Sequence, residues 1–249
     1  MILLKLLGFI VALFVIYVVF LFVCSLFVNP KKEYEEHSKF YRALLNGATA
    51  LAIKLMRIRL HVSGIEKIPD DTKNLLFVEN HRSNFDPIIT WHILKKWQPA
   101  FISKASNFKI PIFGRFIRKC CFMPIDRENP RKAISTINRA AKLLRKQEVS
   151  IGVYPEGTRS KTCELLPFHN GVFKIAQKAD APIVVLSITG TERIAKRTPF
   201  KSTDVYLDVL EVFSGENIQK TKTELIGTAV RRVIEMNTER RDGAWQKDM

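Results

Sequence analysis

The sequence predicts an α/β fold, a largely parallel mixed sheet flanked by helices, behind an N-terminal hydrophobic helix that anchors the chain in a membrane. Three observations predict it. Residues 6–28 carry neither a charge nor a proline. From about residue 65 onward, short apolar runs alternate with stretches of helical periodicity, the pattern of strands joined by crossover helices. With 47% hydrophobic and 26% charged residues among 249, the chain suits a compact domain plus an appendage and is not a disordered segment.

The first element is the uncharged run 6–28. As a helix it is about 34 Å long, enough to cross a bilayer core. A cleaved signal peptide has a shorter apolar core and a small-x-small cleavage site. The run instead ends Ser25-Leu26-Phe27-Val28-Asn29-Pro30, so the expectation is a retained anchor, residues 1–30. Lys31, Lys32, Lys39 and Arg42 follow it, and the positive-inside rule then puts the rest of the chain on the cytoplasmic face. A second helix is expected over 37–60 within a basic, amphipathic segment, 31–62. Phe40, Tyr41, Leu44, Leu45, Ala48, Leu51, Ala52 and Leu55 recur at helical spacing. It fits either the membrane interface or a core-packing helix.

The third unit is the domain proper, 63–237. Strands are expected at 75–79, 100–104, 120–125, 150–154, 182–188 and 205–213, and helices at 87–96, 107–118, 130–146, 171–178 and 220–237. The helix at 130 has the clearest start, because Asn129 suits the cap and Pro130 the first turn. The polar stretch 238–249 reads as a fraying tail. Between residues 104 and 119, five basic residues and no acidic one interleave with Phe108, Ile110, Ile112, Phe113, Phe116 and Ile117. That segment is expected to face a membrane, the alternative being an ordinary helix with a solvated basic face.

Lys and Arg total 40 against 24 Asp and Glu, a net charge of +16, which calls for an anionic partner. The uncharged anchor makes lipid the expected one. No zinc-finger or RNA-binding signature supports nucleic acid. Four cysteines exclude a disulfide-dense scaffold. Cys120, Cys121, Cys163 and His169 lack zinc-site spacing, so no metal is expected.

In a parallel sheet, ligands gather at the carboxyl ends of the strands, and three loops there carry chemistry. Asn80-His81-Arg82-Ser83-Asn84-Phe85-Asp86-Pro87 holds a His and an Asp five apart. A carboxylate that fixes a His tautomer makes it a general base toward a hydroxyl, although Asp86 before Pro87 also fits a helix N-cap. Pro124-Ile125-Asp126-Arg127 puts Arg127 beside a helix N-terminus, either a phosphate site or a surface ion pair. Tyr154-Pro155-Glu156-Gly157-Thr158-Arg159-Ser160 offers a tight turn at Gly157, with Glu156 and Arg159 at the strand end.

Together, in this order and spacing, the three blocks and the strand opened by Ala181-Pro182 resemble the glycerophospholipid acyltransferase family, the lysophosphatidic acid acyltransferases above all. The resemblance covers roughly residues 60–215. It implies that His81 takes the proton of a lysophospholipid hydroxyl, that Asp86 orients His81, and that the hydroxyl attacks the thioester of acyl-CoA or acyl-acyl-carrier-protein directly. It further implies that Arg127 and Arg159 hold the acceptor's phosphate, while Glu156, Gly157 and Thr158 shape its pocket. The product would be phosphatidic acid. No cofactor is implied beyond the acyl donor as co-substrate. Glycerol-3-phosphate or another lysophospholipid is the alternative acceptor. A non-catalytic binder of anionic lipid has the same composition but does not need both His81 and Asp86.

Overall fold

The computed structural model describes residues 1–126 and 129–247. Seven strands form one sheet: β1 (Ile58–Ser63), β2 (Leu76–Glu79), β3 (Pro99–Lys104), β4 (Met123–Ile125), β5 (Ser150–Val153), β6 (Ile183–Thr189) and β7 (Thr203–Phe213). Their spatial order is β1-β7-β6-β2-β5-β3-β4. Every neighbouring pair is parallel except β6 and β7.

The central strands are buried end to end in β2, β5 and β6, which is why they read as continuous apolar runs and not as alternating ones. Successive side chains of β2 enter opposite cores. Leu76 and Val78 join one, with Ile151, Ile183 and Val185. Phe77, and Leu75 just before the strand, join the other, with Val184, Leu186 and Ile188.

The expected strands are all present, and one was missed. β1 occupies residues assigned to the end of the second helix. That helix, α2 (Lys39–Leu55), stops early because Arg57 turns left-handed, with φ 55°. Ile58, Leu60 and Val62 then alternate with polar residues along an edge strand. Tyr41, Leu45 and Ile53 of α2 are buried, while Phe40 and Leu55 face out. Arg42 is buried as well: Nη1 donates to the Pro99 carbonyl at 3.1 Å and the guanidinium lies 4.6 Å from the centre of the Trp91 ring. One face of α2 is therefore core-packing.

The segment expected to be an anchor is helical as α1 (Ile2–Leu26). Its stretch Leu4–Leu26 has a mean hydropathy of 3.1 and is apolar and long enough to cross a membrane. Its end is tied to the domain: Tyr41 donates to the Cys24 carbonyl at 2.9 Å and Arg115 to the Ser25 carbonyl at 2.9 Å. The basic segment that follows β3 departs from expectation. A short 3₁₀ turn at Ala105–Lys109 precedes α4 (Phe113–Lys119). Phe108, Phe116 and Ile117 are buried in the core, and Ile110 stays exposed. Three of the six apolar residues that suggested a lipid-facing surface therefore fill the interior, and Ile112 and Phe113 are half-buried against it.

The remaining helices are α3 (Asp86–Ile93), α5 (Pro130–Arg145), α6 (Lys174–Ala179), α7 (Ile194–Arg197), α8 (Gly215–Lys220) and α9 (Thr223–Lys247). The Asn129 side chain caps α5 by accepting from Lys132 N–H at 3.2 Å, as the sequence predicts. Helix α9 corrects the expected tail: it runs on through 238–247. Asp208 of β7 explains why. Its carboxylate accepts from Asn237 at 2.9 Å and from two nitrogens of Arg241 at 2.9 and 2.6 Å, all on α9. Burial alone would raise the Asp208 pKa, but hydrogen bonds from Arg241, Ser63 and Asn237 more than reverse it, leaving the group charged.

Candidate active site

Because β2, β4 and β5 are parallel, their carboxyl ends share one edge of the sheet. β2 and β5 are adjacent, so the loops after them touch. β4 lies at the sheet's end, two places beyond β5. Arg127, the predicted phosphate ligand after β4, lies outside the described residues.

The first loop folds around Asp86, which is wholly buried. It begins α3 with Pro87 in the first turn, but it does not cap the helix; Phe85 holds that position without a side-chain bond. The carboxylate turns back on its own loop. Oδ2 accepts from the backbone N–H groups of Arg82 and Ser83, both at 2.7 Å, and lies 2.7 Å from His81 Nδ1. Oδ1 accepts from the Thr191 hydroxyl, beyond β6. These donors fix the carboxylate as an acceptor, so His81 presents Nδ1–H to it and keeps Nε2 as the basic nitrogen. The His81 side chain is 17% exposed, and among the described residues Nε2 has no hydrogen-bond partner. A His with a buried carboxylate behind it and a free Nε2 in front can take a proton from a bound hydroxyl.

The third loop grips the first. His81 N–H donates to Glu156 Oε1 at 2.6 Å, and Ser160 N–H donates to the His81 carbonyl at 2.8 Å. Glu156 Oε2 accepts from Leu166 N–H at 2.9 Å. Burial raises the Glu156 pKa, with the two backbone N–H groups opposing it. The carboxylate is thus occupied in holding His81, and any shaping of a pocket by Glu156 is indirect. Gly157 makes the turn with φ 70°, a conformation that costs a side-chain-bearing residue about 1 kcal/mol or more. Thr158 and Arg159 are exposed beyond it. Among the described residues Arg159 has no hydrogen bond or ion pair, and its neighbour Ser160 is bonded to the His81 backbone.

Several participants escaped sequence reasoning. The Tyr154 ring stacks on the His81 imidazole with centroids 4.2 Å apart and planes 20° apart. Phe101 lies flat behind Tyr154 at 6.0 Å. Only a glycine at 152 leaves space for Phe101, since a Cβ there would sit 2.5 Å from its ring. Tyr154 opens the loop Tyr154-Pro155-Glu156-Gly157, so its position is legible in the sequence and its role is not. Thr191 had no local signal at all.

Beneath the pair lies Glu79, buried at the end of β2, with Thr90 donating to Oε2 at 2.6 Å. Burial first, then the Asp86 charge, push its carboxyl well above the ordinary range. The site therefore stabilises the neutral acid. A folded-state pKa above the unfolded value of 4.5 means that stability is lost as pH rises. Glu79→Gln, neutral and of the same shape, is expected to gain stability over the wild type between about pH 5 and about pH 8 in urea unfolding. A pH-independent difference would show that Glu79 ionises normally in the folded protein.

Comparisons with known proteins give this chain a family and a fold. Residues 59–189 match the family model described as Acyltransferase. A 1-acyl-sn-glycerol-3-phosphate acyltransferase of Streptococcus pneumoniae is 32% identical over 162 residues, covering 65% of this chain and 59% of that protein. The Escherichia coli protein of the same name is 28% identical, covering 65% and 66%. A chloroplastic relative from Brassica napus is 33% identical over 53% of this chain and 38% of its own length. The chain thus spans less than two thirds of the length of each of these relatives. In fold it is similar to the crystal structure of the 1-acyl-sn-glycerophosphate (LPA) acyltransferase PlsC of Thermotoga maritima. The TM-score is 0.71 at 24% identity, over 94% of this chain and 92% of that one.

Proposed function

This chain belongs to the acyltransferase family, and from that premise we propose that it acylates the free sn-2 hydroxyl of lysophosphatidic acid, giving phosphatidic acid. The observation that carries the reading is His81 Nδ1 held 2.7 Å from the buried Asp86 carboxylate while Nε2 stays free. Nε2 accepts the proton as the hydroxyl oxygen attacks the thioester carbon. The new C–O bond forms, the C–S bond breaks, and the imidazolium returns its proton to the departing thiol. Asp86 stabilises the imidazolium between these two transfers. Neither a covalent acyl-enzyme nor a resident cofactor enters this scheme.

Arg159, exposed and uncommitted beside the His81 clamp, is suited to bind the acceptor phosphate, and Arg127 is proposed to share that role. The acyl donor is acyl-CoA or acyl-acyl-carrier-protein. Helix α1 anchors the enzyme, and the lysines after it, Lys31, Lys32 and Lys39, favour a cytoplasmic catalytic domain on an anionic lipid surface.

The test is acyl transfer by the full chain in mixed micelles, with lysophosphatidic acid and either palmitoyl donor. Phosphatidic acid is the expected product. Arg159→Ala is expected to raise KM for lysophosphatidic acid about tenfold or more with kcat less affected, because it removes a charge-assisted bond present before and during reaction. Transfer only to glycerol-3-phosphate or to another lysophospholipid would move the acceptor assignment. No transfer to any of them from either donor would favour a non-catalytic lipid binder.

A further inference from the structure

Helix α9 lies beyond residue 189, where the family match ends, yet it is bonded to both loops that hold His81. On one side is Arg82, the residue after His81. Its side chain is 2% exposed, and its guanidinium makes a two-point ion pair with Asp242, 2.9 Å from Nη1 and 2.7 Å from Nη2. The backbone N–H of the same Arg82 donates to Asp86. On the other side is Arg231, which donates to the carbonyls of Leu166 at 2.6 Å and Leu165 at 3.0 Å. Leu166 N–H in turn holds Glu156, and Glu156 holds the His81 N–H. The end of α9 is itself fixed, since Arg241, next to Asp242, is paired with the buried Asp208 of β7.

We propose that α9 is a positioning element of the catalytic loop and that Asp242 is its positioning residue, keeping Arg82 folded inward so that the Arg82 peptide N–H stays on Asp86 and the His81–Asp86 pair stays aligned. The inference rests on the reading of those two residues as the catalytic pair. Its physical basis is the cost of an unpaired buried charge. Arg82 Nε is buried without a partner, and Glu192 adds a negative field but no hydrogen bond to Arg82. Without Asp242 the guanidinium is relieved by swinging to water, and the peptide that supports Asp86 moves with it. A misplacement of about 1 Å in a reacting pair, even from a residue remote from substrate, costs rate by up to about a hundredfold.

The experiment compares Asp242→Asn, Arg82→Gln and the double variant in the full chain. Asp242→Asn is expected to lower kcat about ten- to a hundredfold per folded molecule, with KM for acceptor and donor within about twofold. The double variant leaves no unpaired charge and sets two amides across the same gap, so it is expected to regain most of the lost kcat. A second readout needs no turnover. The His81 Nδ1–H resonance in nitrogen-15-labelled protein is expected to weaken or shift in Asp242→Asn and to return in the double variant. Should Asp242→Asn not fold, Asp242→Glu carries the same test, because its longer carboxylate displaces the guanidinium while keeping the charge. Wild-type kcat and an unmoved His81 resonance would overturn the proposal. So would a lower melting temperature with kcat per folded molecule unchanged. If the wild type acylates none of the acceptors, the functional reading fails, and the resonance still decides whether Asp242 aligns the pair.

Discussion

His81→Ala is expected to lower kcat/KM for acyl transfer by about 10²–10⁴-fold, the usual contribution of a positioned general base. The argument is geometric. Nδ1 faces the Asp86 carboxylate at 2.7 Å, Nε2 is uncommitted among the described residues, and the loop backbone is held by Glu156 and Ser160 through groups that alanine also possesses. The clamp therefore survives the substitution, and the fold loses the stack on Tyr154, worth about 0.5–1.5 kcal/mol, and the Nδ1–H bond to Asp86, worth about 1.5–3 kcal/mol as a bond to a charged group. Initial rates and a thermal melt on the same preparation check both halves. A variant with undiminished rate would remove His81 as the base; a variant that fails to fold would show the ring to be structural.

Asp86→Asn is expected to cost activity on a similar scale, about 10²–10⁴-fold, while leaving the fold nearly intact. Oδ2 meets three donors: the His81 imidazole and the N–H groups of Arg82 and Ser83. Oδ1 meets one, the Thr191 hydroxyl. An asparagine can aim its carbonyl oxygen at the three and its NH₂ at Thr191, whose hydroxyl rotates to accept. What it cannot supply is the negative charge that stabilises the imidazolium. Asp86→Ala differs instructively, since it strands two buried N–H groups at about 1–3 kcal/mol each. Its melting temperature should fall, whereas that of Asp86→Asn should barely move. Equal melting temperatures for the two, or full activity in Asp86→Asn, would contradict this division between charge and scaffold.

How much of this was legible in advance differs from residue to residue, and by physical cause. The hydrophobic run of α1, the buried strands β2, β5 and β6, and the start of α5 at Asn129 and Pro130 announce themselves, because burial on both faces and capping are local demands written in neighbouring residues. The His81 to Asp86 spacing was equally readable: the whole contact spans five positions. β1 was not, because its alternation of Ile58, Leu60 and Val62 directly continues a helical pattern, and the break between them is one backbone angle at Arg57. The helical course of 238–247 was hidden because its support, Asp208, sits in another element.

By itself, then, the sequence determined the fold class, the apolar N-terminal helix, the strand-end loops and the His–Asp pair. The tertiary structure decided what those residues hold. Glu156 reaches His81 across 75 positions, Thr191 reaches Asp86 across 105, and Asp242 reaches Arg82 across 160. Local propensity carries no information about such separations. They are set by the order and register of strands in the sheet, with β2 lodged between β5 and β6, and that order is fixed only when both apolar faces of the sheet are buried at once.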